Sequence, residues 1–216
     1  MADEAQPEPS EVRWKNYLAQ VDKSIVEAEQ HLEVPPGTIS SIPNDPDFIA
    51  TVKMYAVIEP ILNDLIASWQ KPHPQANPFA LLLSVEQSAR EKFRTFVAAL
   101  NIRGPAGKLK LAKGLDLLPQ QQIAFINAVA QVRNRYTHNV KNMHRSLTEI
   151  VTEEQQTNGR IVEHLTGVKL PPSPAPTSEL LKLLMYYQLA NYLAGAFQTL
   201  RPPPPPKGGK GGILGP

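Results

Sequence analysis

Cysteine is absent from the 216 residues, which excludes disulfides, thiolate nucleophiles and cysteine-based zinc sites. An excess of one charge is nearly absent as well. With 22 basic residues against 20 acidic ones, any affinity for nucleic acid must come from local clustering and not from a general cationic field. No segment approaches the roughly 20 apolar residues of a bilayer span. The opening residues 1–9 are acidic and proline-containing, without the apolar run of a signal peptide. These absences predict a cytoplasmic chain without a membrane partner. His31, His73 and His164 have no ligand-spaced partners and no His-Glu-x-x-His cluster occurs, so neither a metal nor another cofactor is expected. Gly104, Gly107 and Gly114 do not make a P-loop, because Leu109 follows Gly107-Lys108 where that loop requires Ser or Thr. Strand-like alternation and internal repeats are also missing.

What is present is helical periodicity interrupted by proline. Residues 1–9 read as a disordered leader, 10–200 as a single helical domain and 201–216 as a flexible tail, with five consecutive prolines at 202–206 followed by Lys207. Trp14, Leu18, Val21, Ile25, Ala28 and Leu32 form one stripe of a first helix. A second starts at Asp45-Pro46 and carries Phe48, Val52, Tyr55, Ile58, Leu62 and Trp69, with a kink expected at Pro60. Pro72, Pro74 and Pro78 mark a connection, and Ala89, Phe93, Phe96, Val97 and Leu100 mark a third helix. Lys108 to Lys113 form a short piece closed by Gly114, and a long helix follows from about Leu118 to Val140. Residues 141–170 read as irregular with one or two short helices. Thr177-Ser178-Glu179 caps a final helix so apolar that it must be buried or shared with a second subunit. The fold class is all-α, an up-and-down bundle of about five main helices.

The helix from Leu118 has two stripes. Phe125, Val129, Val132 and Tyr136 should be core. Asn127, Gln131, Asn134 and His138 have the same spacings but are all polar, a hydrogen-bonding seam that wants a cleft or a partner. Arg103, Lys108, Lys110 and Lys113 make the most basic patch, either a guide for an RNA backbone or ordinary helix surface. Arg135 reads as solvated or phosphate-touching. His144, near Asn142 and Arg145, either lines the same groove or sits on a surface turn, and Glu153-Glu154 reads as a solvated acidic pair.

The stretch Val132-Arg-Asn-Arg-Tyr-Thr-His-Asn139 resembles the signature of the HEPN superfamily: arginine, a polar residue, three residues and histidine late in a long helix, with a small residue, here Thr137, before the histidine. The wider stretch from Phe96 through Lys113-Gly-Leu-Asp-Leu-Leu to His138 resembles the mannitol-repressor-like branch. The resemblance implies a HEPN-like bundle and, in catalytic members, a metal-independent ribonuclease of the toxin or defence kind. In these the RNA 2′-hydroxyl attacks the adjacent phosphate, leaving a 2′,3′-cyclic phosphate and a 5′-hydroxyl. Arg133 would hold phosphate oxygens, His138 would exchange the proton and Asn134 would orient the imidazole or touch the phosphate. Arg135, His144, Lys108, Lys110 and Lys113 would contact the substrate RNA. Many members are restrained by a separate antitoxin protein. Five residues at roughly 100° each set Arg133 and His138 about 140° apart on the helix, so a composite site in a homodimer is expected. The alternative function is a non-catalytic helical binding module that regulates by contact.

Overall fold

The computed structural model describes residues 10–69, 87–157, 159–171 and 174–201. The leader, the Pro72–Pro78 connection and the proline-rich tail lie outside the described residues. The described residues form eight α-helices in order: α1 (Ser10–His31), α2 (Asp47–Ser68), α3 (Gln87–Ala99), α4 (Lys108–Gly114), α5 (Gln120–His138), α6 (Leu147–Thr157), α7 (Ile161–Thr166) and α8 (Ser178–Leu200). Short 3-10 helices at Ile42–Asn44 and Val140–His144 precede α2 and follow α5. No strand occurs among the described residues, and the class is all-α. The difficult stretch 141–170 resolves into the second of these 3-10 turns plus α6 and α7.

Helix ends depart from the sequence reading in one respect. The structure starts α2 at Asp47 with Pro46 in the cap position and no side-chain cap. Asp45, expected to cap it, instead holds the Lys53 ammonium at 2.8 Å, an ion pair with a residue one and a half turns into the helix. Thr177 does cap α8, accepting from the Leu180 N–H at 3.3 Å. The second helix continues through Pro60. Proline has no N–H for the Ala56 carbonyl, and Ala56 lies on the exposed side of the helix.

α8 is buried within this chain through Leu181, Met185, Leu189, Tyr192, Leu193 and Phe197. It packs against α1, α2 and α7. Contacts at two levels set the directions. Tyr187 meets Trp14 and Tyr17 near the start of α1, and Arg201 pairs with Glu27 near its end. The two helices therefore run the same way. α2 also runs with α8, since Asp47 pairs with Lys182 at one end and the Tyr192 hydroxyl donates to the Ile58 carbonyl further along. α5 runs against α2, with Phe48 on Tyr136 and Tyr55 under Arg133. In α1 the stripe buries Val21, Ile25 and Ala28, while Trp14 is 53% exposed. In α3 Val97 is buried and Phe96 faces outward, because that helix packs on α2 with one face only.

Two carboxylates hold the loops. Buried Glu29 accepts from the N–H groups of Gly37 at 3.0 Å and Ile39 at 2.7 Å, pinning the α1–α2 connection where Gly37 adopts φ 91°, a value L side chains avoid. Asp47 accepts the Leu147 N–H at 2.7 Å and faces the Lys182 ammonium at 3.2 Å, joining the starts of α2, α6 and α8. Burial alone would raise the Asp47 carboxyl. The Leu147 N–H, the Ser178 hydroxyl and Lys182 together outweigh that and hold it below its ordinary range.

Two outcomes follow. Glu29→Ala leaves buried N–H groups without an acceptor and should cost about 2 to 3 kcal/mol in urea unfolding. Because the folded Asp47 pKa is depressed, its contribution is complete above the unfolded value of about 4 and is lost as pH falls through the folded value. The acid limb of stability against pH should therefore be shallower in Asp47→Asn than in the wild type.

Candidate functional site

The C-terminal half of α5 is fixed before its polar side chains are placed. Tyr136 is fully buried, with its ring 5.8 Å from Phe48 and its hydroxyl donating to the Arg145 carbonyl at 3.3 Å. Burial pushes its phenol well above the usual range. Phe125, Val129 and Val132 are buried on the same side. With that stripe inward, Asn127, Gln131, Asn134 and His138 line an open groove.

The groove has two recesses. One, of about 440 Å³, is bounded by Gln131, Asn134, Arg135, His138, Asn142 and Glu154. The other, also about 440 Å³, includes Lys110, Lys113, Asn127 and His164. Arg103 borders both, so the recesses are neighbours along α5. Arg103 is placed by the turn leading into α4. A Cβ on Gly107 would come within 2.7 Å of the Arg103 backbone, so only glycine permits this approach. No phenylalanine, tyrosine or tryptophan lines either recess.

Three expected site residues lie elsewhere. Lys108 is not a surface cation. It is 0% exposed and its ammonium meets Glu59 at 2.6 Å. Relative to Lys108, Lys110 and Lys113 lie roughly 200° and 140° around α4, so the residue that enters the core leaves the other two facing the groove. His144 ends the second 3-10 helix, exposed and outside the groove lining. Asn142 occupies the place considered for it, its Nδ2 donating to the Arg135 carbonyl at 2.8 Å. Arg133 does not line the groove either. Its guanidinium stands 4.8 Å from the Tyr55 ring centre and Nη1 donates to Asn134 Oδ1 at 3.1 Å. Its Nε is buried without a partner. In a single chain Arg133 reaches the seam only through Asn134, because it lies on the side of α5 that faces α2. Asn134 and His138 are thus together in the groove, and Arg133 is beside it.

Glu154 was read as solvated and is not. It is 2% exposed and accepts from both Gln131 Nε2 and Arg135 Nε. Its neighbour Glu153 is the exposed one, paired with Arg145 at 2.5 Å. The missed signal was periodicity: Leu147, Ile150, Val151 and Glu154 occupy the inward stripe of α6. Arg135 in turn is an anchored residue, with its Nε committed to Glu154 and its side chain 51% exposed at the groove.

Among the described residues no group of three or more His, Asp or Glu side chains could hold a metal ion, and no helix is long and apolar enough to cross a membrane. The arrangement offers cations at one end, neutral amides along the middle and an accessible imidazole at the other end. Removing Arg135 strands the Glu154 carboxylate, so Arg135→Ala should destabilise the chain by about 2 to 3 kcal/mol, less than a wholly buried pair because half the arginine is in water. Adding Glu154→Leu should recover most of that loss in urea melts. No protein-family model, curated protein or solved structure matches the chain.

Proposed function

We propose that the groove along α5 binds an RNA backbone and cleaves it without a metal, as a HEPN-type endoribonuclease of the toxin or defence kind. The observation that carries this reading is the adjacency of two recesses: Asn134 and His138, two of the three signature residues, share one with Arg103, and Arg103 also borders the next, which holds Lys110 and Lys113. The three basic side chains pair with phosphates and draw the strand along α5. His138 is the group that takes up and returns the proton in this reaction. In the step itself the 2′-oxygen loses its proton and forms a bond to phosphorus. The bond from phosphorus to the 5′-oxygen breaks, and that oxygen leaves with a proton. Asn134 orients the phosphate or the imidazole.

A homodimer completes this site. Val140, 71% exposed, and Met143 lie beside His138 on the 3-10 turn, an apolar edge that a two-fold contact would cover. Such pairing sets two His138 groups and the Arg133–Asn134 pairs around one cleft. A separate antitoxin that shields the groove is the matching partner.

The second reading is a binding module without catalysis. It is favoured by the contact of Arg133 with the Tyr55 ring and by the commitment of Arg135 to Glu154, which occupy the two arginines of α5 nearest His138.

Wild-type and His138→Ala proteins incubated with mixed RNA in EDTA separate the two. Cleavage by the wild type alone, leaving cyclic phosphate ends, is the expected result. Equal RNA affinity with no cleavage by either protein supports the module. Since among the described residues the groove has three cations without an ion-pair partner and no stacking ring, affinity should fall with salt with a log–log slope of about −2 and vary little with base sequence.

A further inference from the structure

The side of α1 and α8 away from the groove carries a feature that RNA cleavage does not use. Trp14, Tyr17 and Tyr187 form a triangle of rings with centroids 5.6, 5.9 and 6.2 Å apart. Tyr186 adds an edge contact to Tyr187 at 6.2 Å. The Trp14 indole and both phenols of the triangle donate to no described residue, and Trp14 is more than half exposed. Leu180 and Leu183 extend the exposed apolar surface along α8. Rings with free donors at their rims suit one ligand chemistry in particular: a polyproline segment, whose pyrrolidines pack on the rings while its carbonyls, which lack neighbouring N–H groups, accept from indole and phenol.

This chain contains such a segment at residues 202–206, followed by Lys207. The segment follows Arg201 at the end of α8, and Tyr187 lies fourteen residues back along that helix, about 21 Å at 1.5 Å per residue. Five residues span at most about 18 Å in any conformation, less than that distance, so the run cannot reach the rings of its own copy. We propose that the ring triangle docks the 202–206 proline run of a second copy of this chain. The contact is independent of the groove and of the apolar edge beside His138.

A dye-labelled peptide of residues 200–210, titrated with the full-length protein and followed by anisotropy, should bind saturably. The same peptide with alanine at 202–206 should not bind. Trp14→Ala should weaken binding about ten-fold with the helical circular dichroism retained. A chain carrying Trp69→Phe leaves Trp14 as the sole indole, which keeps the test open if Trp14→Ala fails to fold. Its emission should move to the blue on adding the proline peptide, and also as protein concentration rises. Absence of peptide binding, equal binding of the alanine peptide, equal affinity of a folded Trp14→Ala protein, or an emission independent of protein concentration would each overturn the proposal.

Discussion

The contact between Asp47 and Lys182 ties together the starts of three helices. Lys182 is buried on α8, and its ammonium serves both the Asp47 carboxylate and the Asp45 carbonyl. The other Asp47 oxygen receives the first N–H of α6. Thr148 closes the same corner by bonding Ser178 and the Pro176 carbonyl. Three helices that begin far apart in sequence therefore begin together in space. A buried ammonium without its partner would be costly, so the corner forms as a unit. The next residue on α2, Phe48, packs on Tyr136, and this carries the constraint to the end of α5 where His138 stands.

α5 then works as a divider. Its apolar stripe and Arg133 face α2 and the core, and its amide seam faces the groove between α4 and α6. The ends of the groove differ in kind. Near α4 the basic side chains point outward because Lys108 has taken the inward position against Glu59. Near α6 the arginine that α5 places on the wall, Arg135, is already neutralised by a buried glutamate. A polyanion would be gripped at the first end and presented to an imidazole at the second, which is an arrangement suited to positioning a backbone more than to reading bases.

The parts of this organisation that depend on local periodicity were legible in the sequence. The buried and polar stripes of α5, the cap and burial of α8 and the short α4 all follow from spacing and capping chemistry. Where periodicity met a charged residue, the sequence was read by residue type and misled. Lys108 and Glu154 were treated as surface because they are charged, although each lies at an inward position of its helix and finds a partner from a distant segment, Glu59 and Arg135. Those pairings are tertiary and leave no local trace. Trp14 shows the converse: it sits on the apolar stripe of α1 but beyond the length of helix that its neighbours cover. The up-and-down order expected of consecutive helices fails for α1 and α2, which both run with α8, because their directions depend on the Asp47 corner and on Glu29 gathering the connecting loop.

Protection of lysines from acetylation by a bound, non-cleavable 2′-deoxy strand, read residue by residue with mass spectrometry, tests the central claim that the α5 groove is the nucleic-acid site. Lys110 and Lys113 should be protected while Lys15 and Lys23 on the far helix remain reactive. Protection of the α1 lysines instead, or unchanged reactivity of Lys110 and Lys113 at saturating strand, would contradict the account.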